Sequence, residues 1–451
     1  MINKHLRLAV FAIGALGLSA CGGSTPATSS TASSATPVSS TPTSTSTTVS
    51  SATGTDGELT LWCTALDDAF TKTMITDFKA ANPTYANWNI HVIANIAENE
   101  TQGKLHKDTT AAADVICMVD DNIRGAVNAK DLLALSDADK TAIVATDGQE
   151  AVDAGSIDGT LYGYPYRADN APLLIYNSSM LTAEQVGSFE SLFTAAADKK
   201  STVALDIGNG WYNGFMFWAG GGDFKLDADN NIACDFNHVT GCVTSATAVF
   251  DFYGANRQAW NSTSDEGVIQ AGFADGSICA AFLWNNLAAI RAGMDGTAGT
   301  AEDIKVADWP TLTIGGNVVK NTFFKGYKHY VIKSAIDTAR IDAAKAFCKF
   351  ATSEAEQDKR VADPELQYGP SNLASKAKDA AKALEWSSVI MGADADGRTR
   401  SQALTTNSSF WDPMGAFGAL ISNQSWGEFG SCKRAIANLV STTGWVDAET
   451  I

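Results

Sequence analysis

Apolar positions beyond residue 57 follow two alternating patterns, short apolar runs and apolar residues at helical spacing. The runs Glu58–Cys63, Trp88–Ile96 and Asp114–Val119 predict strands, and the apolar residues between Asp67 and Asn82 recur at the spacing of a helix. Strands that alternate with helices in this way predict an α/β fold with a parallel sheet. In open sheets of this kind a ligand binds beyond the carboxyl ends of the strands.

The segment Leu161–Asn177 (LYGYPYRADNAPLLIYN) brings three tyrosines, an arginine, an aspartate and an asparagine together within the nine residues 162–170. Tyr164, Asp169 and Asn170 come shortly before the apolar run Leu173–Tyr176, which predicts a buried strand. Polar and aromatic residues held at the end of a rigid strand are typical of a binding site. A β-hairpin with half-buried tyrosines would have the same residue types, so this segment alone does not distinguish a binding site from a hairpin.

The first 56 residues have the composition of an export signal and a tether. Lys4 and Arg7 precede the apolar stretch Leu8–Ala20, which is too short to span a bilayer. The tetrapeptide Leu-Ser-Ala-Cys that ends at Cys21 resembles a bacterial lipobox. This resemblance implies a signal peptide over residues 1–20, lipidation of Cys21 and an extracytoplasmic protein anchored to the cell membrane. Residues 21–56 are rich in Ser and Thr and predict a flexible tether.

Composition and charge exclude several classes of protein. The formal net charge is -18, whereas proteins that bind nucleic acid need a basic patch. The sequence contains neither a P-loop nor a GxGxxG motif, and its five histidines are scattered, so no cofactor and no metal are expected. No pair of carboxylates can be placed face to face, so a glycosidase cannot be argued from the sequence.

Eight cysteines are present, and an exported protein can form disulfides. Cys234 and Cys242 flank a short polar loop and are the best candidates for a disulfide. Cys63 and Cys117 each end a predicted strand and could meet if those strands are neighbours.

Aromatic, carboxylate and amide side chains recur at predicted strand ends and helix starts. They are found at Trp62, Asp120–Asn122, Tyr164–Asn170, Asn209–Tyr212, Trp284–Asn286 and Trp411. A pyranose has an apolar face that lies on an aromatic ring and a rim of hydroxyls that needs hydrogen bonds, preferably to carboxylates. Ordinary core packing would explain any single ring, but the set as a whole favours a carbohydrate ligand.

From about Glu58 onward the chain resembles the extracellular solute-binding proteins of ABC importers, in the maltose/maltodextrin-binding branch. The segments that carry the resemblance are, in chain order, ELTLWC, AADVICMVDDNIRGAVNAKDLLALS, YGYPYRADNAPLLIYNSSML, GNGWYNGFMFWAGGG, AGFADGSICAAFLWNN and SSFWDPMGAF. The resemblance implies two α/β lobes, each a mostly parallel sheet flanked by helices, with the ligand cleft between them. Residues 57–168 and 316–362 would form the first lobe, and residues 169–315 and 363–451 the second.

The same resemblance implies a set of ligand contacts. It assigns polar contacts to Asp121, Asn122 and either Asp169 or Asn170. The aromatic contacts would come from Trp211 or Tyr212, from Trp284 and from Trp411, with Trp62 at the cleft wall and Tyr164 facing the cleft. Two departures weaken it, because Asn122 stands where an arginine is common and Met118 where a tryptophan is common. The implied protein is not an enzyme. It is a monomeric receptor that takes an oligosaccharide, an α-glucan fragment by preference, and passes it to ABC transporter permease subunits.

Three alternatives stay open at this point. The same fold could bind another oligosaccharide or a different small solute. The chain could also be an exported carbohydrate-active enzyme, or a surface adhesin or structural lipoprotein.

Overall fold

The structure is a computed structural model that describes residues 56–227, 229, 231–404, 407–442 and 444–451. The predicted signal peptide, the lipidation site Cys21 and the tether up to residue 55 lie outside the described residues. Within the described ranges no helix is both long and apolar enough to cross a lipid bilayer.

Eighteen strands and eighteen α-helices make up the regular structure of the described residues. The strands are β1 (Glu58–Trp62), β2 (Asn89–Ile93), β3 (Val115–Val119), β4 (Ser156–Ile157), β5 (Thr160–Leu161), β6 (Gly163–Asn170), β7 (Leu173–Asn177), β8 (Thr202–Ala204), β9 (Phe224–Leu226), β10 (Ile232–Cys234), β11 (Trp260–Asn261), β12 (Ile278–Leu283), β13 (Ile304–Ala307), β14 (Leu312–Ile314), β15 (Asn317–Val319), β16 (Phe323–Ile332), β17 (Thr399–Ser401) and β18 (Val446–Asp447). The helices are α1 (Asp68–Ala81), α2 (Thr101–Lys107), α3 (Asp120–Asn128), α4 (Asp137–Asp147), α5 (Gln149–Ala154), α6 (Phe189–Asp198), α7 (Gly210–Asn213), α8 (Phe215–Trp218), α9 (Thr240–Ala255), α10 (Glu266–Asp275), α11 (Leu287–Gly293), α12 (Thr338–Ala351), α13 (Glu354–Ala362), α14 (Leu373–Ala377), α15 (Asp379–Lys382), α16 (Glu385–Ala395), α17 (Asp412–Ser422) and α18 (Cys432–Thr442).

The first large sheet is built around β16. Its strand order is β17-β16-β3-β1-β2, and β6 also pairs with β16. β1 runs parallel to β2 and β3, and β17 runs parallel to β16, whereas β3 and β6 are antiparallel to β16. All ten residues of β16 are buried, because neighbouring strands and helices cover it from every side.

The second large sheet has the order β11-β8-β12-β7-β13. β8 is parallel to β11 and β12, and β7 is antiparallel to β12 and β13. Both sheets are therefore mixed, and the expectation of mostly parallel sheets was too simple. In the second sheet β7 alone runs against its two neighbours, and it directly follows the passage of the chain from β6 of the first sheet.

The two sheets have separate hydrophobic cores. Side chains of successive residues in a strand point to opposite faces, and the first sheet shows this directly. Leu61 and Val115 belong to the cluster on one face, while their neighbours Trp62 and Ile116 belong to the cluster on the other. One large cluster surrounds the second sheet and also takes in side chains of α17 and α18.

The first sheet includes one strand from the late part of the chain. β17 follows α16 late in the chain, yet it pairs with β16 of the first sheet through the partners Phe323 and Thr399. Part of the segment 363–451 therefore belongs to the first lobe, although the whole segment was expected in the second.

The disulfide expected between Cys234 and Cys242 is not formed in the structure, where both are free and buried thiols. The Cys242 thiol donates to the carbonyl of Phe217 at 3.6 Å, and burial raises the pKa of each of the two thiols to about 12. Cys63 directly follows β1 and Cys117 lies within the neighbouring β3, and these two thiols are also free.

Candidate ligand-binding cleft

A cavity of about 1310 Å³ opens between the two sheets. Segments that follow strands of both sheets supply most of its walls, as expected for an open α/β sheet. From the first sheet come Thr64–Leu66 after β1, Asn95–Asn99 after β2 and Asp121–Asn122 after β3. The second sheet contributes Asp206 and Gly208–Tyr212, which follow β8, and Trp284–Asn286, which follow β12.

Seven of the ten predicted contact residues line this cavity. They are Asp121, Asn122, Asn170, Trp211, Tyr212, Trp284 and Trp411. Between the two alternatives Asp169 and Asn170, only Asn170 is part of the lining. Tyr212 contributes an edge at most, since it is 1% exposed.

Trp62, Tyr164 and Asp169 were also expected to contact the ligand, but they are not among the residues that line the cavity. Trp62 and Tyr164 lie in the hydrophobic clusters on the two faces of the first sheet. Asp169 is 1% exposed and serves as a structural acceptor for the guanidinium of Arg167, the amide of Asn285 (2.8 Å) and the backbone N–H of Gly369 (2.9 Å). Three donors therefore already engage its carboxylate.

The irregular pairing of β6 explains why Asn170 and not Tyr164 faces the cavity. The register between β6 and β16 shifts on both sides of Lys328, so the simple alternation along β6 is interrupted. Tyr164 and Tyr166 point into the core before the shift, whereas Arg167 and Asn170 point into the cavity after it.

Two of the tryptophan rings are held at their indole N–H. Trp411 Nε1 donates to Asp121 Oδ2 at 2.9 Å, and Trp211 Nε1 donates to Gln402 Oε1 at 3.0 Å. Burial raises the pKa of Asp121 to about 6, although the Trp411 hydrogen bond acts in the opposite direction. These hydrogen bonds fix the orientation of both indole rings before a ligand binds.

The floor of the cavity on the first-sheet side is charged. Glu98 pairs with Lys328, and Tyr166 donates its hydroxyl to Glu98 Oε1 at 2.6 Å. Burial disfavours the Glu98 carboxylate, but Lys328 and Arg167 outweigh burial and hold the pKa of Glu98 below its ordinary value. The guanidinium carbon of Arg167 lies 3.5 Å from the centre of the Tyr368 ring, which completes this floor.

Sequence reasoning missed Glu98, Lys328, Tyr368 and Gln402 as cavity residues. Only Lys328 left a signal in the sequence, because a lysine at the start of the apolar run Lys328–Ile332 needs a buried partner. Glu98 begins a single 3₁₀ turn of ordinary composition, and Gln402 is remote in sequence from Asp120, Asn170 and Trp211, with which it forms hydrogen bonds.

The cavity lining offers hydrogen-bonding groups and aromatic rings to a ligand. Among the described residues no group of three or more His, Cys, Asp or Glu side chains is arranged to hold a metal ion. The lining instead combines indole rings with carboxylates and amides, which suits a ligand rich in hydroxyl groups.

Comparison with known proteins places the chain in a family. Residues 73–386 match the family model described as bacterial extracellular solute-binding protein. No curated protein matches the sequence.

Solved structures give the fold. The maltodextrin binding protein of L. casei BL23 without ligand superposes with a TM-score of 0.71 at 18% identity, covering 86% of this chain and 99% of that one. The GacH receptor of Streptomyces glaucescens, solved unliganded and with acarbose, gives a TM-score of 0.68 at 17% identity over 86% and 97% of the two chains. The maltose-maltodextrin binding protein of Alicyclobacillus acidocaldarius gives 0.67 at 16% identity over 86% and 99%.

These likenesses establish the two-lobed fold that the resemblance predicted. Because the family model covers more than half of the chain, the protein belongs to the family of bacterial extracellular solute-binding proteins.

Proposed function

We propose that this protein is the sugar-binding component of an ABC importer. It captures oligosaccharides of the maltodextrin type and delivers them to membrane permease subunits. The observation that carries the proposal is the convergence of Trp211, Trp284 and Trp411 on one cavity that also exposes carboxylate and amide side chains.

The size of the cavity favours an oligosaccharide over a single sugar unit. Pockets for drug-sized ligands usually measure about 300–1,000 Å³, and this one measures about 1310 Å³. Three separate indole rings also provide more stacking surface than one pyranose can use. Solved structures of similar fold include complexes with acarbose, maltose and maltotetraose, which supports an α-glucan fragment as the ligand.

Binding requires no covalent step. Closure of the two lobes would exclude water from the cleft, and each buried polar group would then need a partner on the ligand. A sugar of the wrong shape leaves such groups unpaired, which is how a site of this kind discriminates. The charged floor formed by Glu98, Lys328 and Arg167 offers both donors and acceptors to one end of the sugar chain.

The proposal includes the cellular arrangement. Lipidation of Cys21 would anchor the chain to the outer face of the cell membrane, and a tether of about 35 residues would give the folded body a reach of about 30 Å. The protein would act as a monomer in this position, with its cleft accessible to the permease.

A thermal-shift panel tests the proposal. Maltose, maltotriose, maltotetraose, xylo-oligosaccharides and fructo-oligosaccharides are each added to the purified protein, and a ligand-dependent rise in melting temperature is expected for the maltodextrins. A rise in melting temperature with only the xylo- or fructo-oligosaccharides would show that the protein is a receptor for that sugar class and not for maltodextrins. No rise with any sugar would refute the receptor assignment, and release of shorter sugars from the same mixtures would indicate an enzyme.

A further inference from the structure

Gln402 connects three polar side chains that come from distant parts of the chain. Its Oε1 accepts hydrogen bonds from Trp211 Nε1 at 3.0 Å and from Asn170 Nδ2 at 3.1 Å. Its Nε2 donates to Asp120 Oδ1 at 2.5 Å. The side chain is buried, and Gln402 is 2% exposed.

The chemistry of these neighbours fixes the orientation of the Gln402 amide. Two donors face its oxygen and a carboxylate faces its nitrogen, so a flipped amide would oppose like groups at all three contacts. The other oxygen of Asp120 accepts the backbone N–H of Tyr327 at 2.8 Å, which holds the carboxylate in place.

The backbone around Gln402 is equally fixed. The residue follows β17, which pairs with β16 of the first sheet. Gly326 of β16 provides the space for the amide, since a Cβ atom at Gly326 would lie 2.3 Å from the amide carbon of Gln402. Gly326 is also the pairing partner of Asn170, so the three residues converge at one point of the sheet.

Trp211 belongs to the other side of the cleft. It lies in α7, which follows β8 of the second sheet, and its ring packs edge-on against Tyr212 with centroids 5.1 Å apart. The hydrogen bond to Gln402 therefore connects the first sheet with the Trp211 ring, which belongs to the second-sheet side of the cleft. It holds the indole by its N–H edge and leaves a ring face available to the cavity that both residues line.

We infer that Gln402 is a positioning residue for ligand binding, which sets the orientation of the Trp211 ring through its amide oxygen. This inference rests on the proposed function, because it assigns the Trp211 ring a ligand to receive. A ring that is already oriented loses less conformational freedom on binding. The hydrogen bond from Trp211 to Gln402 therefore contributes to affinity even without contact between Gln402 and the ligand.

The test uses the full chain and a variant in which the amide is replaced by a group of similar shape, Gln402→Met. The first readout is the indole ¹⁵N–¹H spectrum of the ligand-free protein, with the Trp211 signal assigned by its loss in Trp211→Phe. In Gln402→Met the Trp211 signal is expected to shift and its proton to exchange faster with water. An unchanged Trp211 signal overturns the inference, whatever the ligand proves to be.

The second readout is the dissociation constant for the sugar that gives the largest thermal shift. Gln402→Met and Trp211→Phe are each expected to weaken binding by about tenfold, and the double variant by no more than Trp211→Phe alone. Additive losses, or an unaltered dissociation constant in Gln402→Met, overturn the inference. If no sugar binds the unmodified protein, the proposed function fails, while the spectrum still decides whether Gln402 holds the ring.

A matched control separates positioning from a general loss of stability. Gln357 is also a buried amide with several partners, since its Nε2 donates to Ser371 Oγ at 3.1 Å and its Oε1 accepts the Ser371 N–H at 2.7 Å. Gln357→Met is expected to lower the melting temperature but to leave the Trp211 signal and the dissociation constant unchanged. An equal effect of Gln357→Met on the Trp211 signal would assign Gln402 a merely structural role.

Discussion

Trp411 and Asp121 are hydrogen-bonded to one another across the cleft, with the indole Nε1 donating to Oδ2 at 2.9 Å. Both are expected to contact the ligand, and in the structure they contact each other. Asp121 lies in the first turn of α3, whereas Trp411 directly precedes α17, whose apolar side packs in the core of the second sheet. The pair therefore joins the two lobes at the site itself.

The first prediction separates the two roles of Trp411. Trp411→Phe keeps an aromatic face but removes the N–H, and it is expected to weaken sugar binding by about 1–2 kcal/mol, since Asp121 loses a donor to a charged acceptor. Trp411→Ala removes the stacking face as well and should cost more. Isothermal titration calorimetry with the best sugar of the thermal-shift panel measures both losses, and equal losses would show that the ring face contributes nothing.

The second prediction concerns Trp284, which follows β12 at the opposite wall. Trp284→Ala is expected to weaken binding by about 1–3 kcal/mol, in the range of a stacked aromatic contact together with its buried area. Trp426 provides the control, because it stacks on Phe250 with centroids 4.6 Å apart and is not part of the cavity lining. The same titration should give an unchanged dissociation constant for Trp426→Ala. Unchanged affinity in Trp284→Ala and Trp411→Ala together would refute the assignment of this cavity as the sugar site.

The third prediction concerns the buried ion pair of Glu98 and Lys328, whose side chains are only 9% and 10% exposed. Lys328→Met leaves the Glu98 carboxylate buried without its cation, and it should lower the free energy of unfolding by about 3–5 kcal/mol. The double variant Glu98→Gln/Lys328→Met should recover a large part of this loss, because no unpaired charge remains. Urea denaturation followed by tryptophan fluorescence measures all three proteins.

The exposed pair of Lys320 and Asp396 is the control for that experiment. Its atoms are 3.0 Å apart, but its side chains are 68% and 47% exposed, so water screens the interaction. Lys320→Met should leave the unfolding curve essentially where it was. A loss in Lys328→Met no larger than in Lys320→Met would contradict the prediction.

The fourth prediction is a pH dependence from His329, which is fully buried in β16. Burial lowers the pKa of His329 to about 4, from an ordinary value of 6.5, because its charged form would lie in the core. Below pH 6.5 the His329 side chain is protonated in the unfolded chain but stays neutral in the folded chain. The free energy of unfolding therefore decreases as the pH falls from 6.5 towards 4. The loss amounts to about 3 kcal/mol at about 1.36 kcal/mol per pKa unit.

His329→Gln tests this dependence, since an amide does not titrate in the same range. Urea denaturation at pH 7 and at pH 4.5 should show a smaller difference between the two pH values in the variant than in the unmodified protein. The comparison between the proteins is needed because Asp121 acts in the opposite direction. Burial raises the pKa of Asp121 to about 6, so its protonation stabilises the folded chain as the pH falls. Equal pH dependence in both proteins would contradict the prediction.

The sequence predicted those parts of the site that follow from local pattern. Asp121 and Trp284 come just after apolar runs, and in open α/β sheets a ligand binds beyond the carboxyl ends of the strands, so the place of each residue at the cleft could be anticipated. Tyr164 and Asp169 could not be placed in the same way. A shift of register in β6 changes which side chains face the cavity, and nothing in the sequence of that segment alone marks the shift.

Contacts between remote segments were beyond prediction for a different reason. Gln402 lies 191 residues from Trp211 and 232 from Asn170, and its own neighbours in sequence are unremarkable. Its role depends on the pairing of β17 with β16, which assigns a late segment of the chain to the first lobe. The mixed direction of both sheets escaped prediction for the same reason, because it depends on where the chain crosses between them.

The central place of β16 in the first sheet also determines the order in which the chain can fold. β16 begins at Phe323, whereas its partners β3 and β6 lie between Val115 and Asn170. During synthesis from the N-terminus, the edges of β3 and β6 that pair with β16 stay unpaired until β16 has been synthesised. Unpaired strand edges can pair with other chains. All five strands of the second sheet lie between Leu173 and Ala307 and are complete before β16 appears. The sheet that comes second in the sequence is therefore the first that a growing chain can finish.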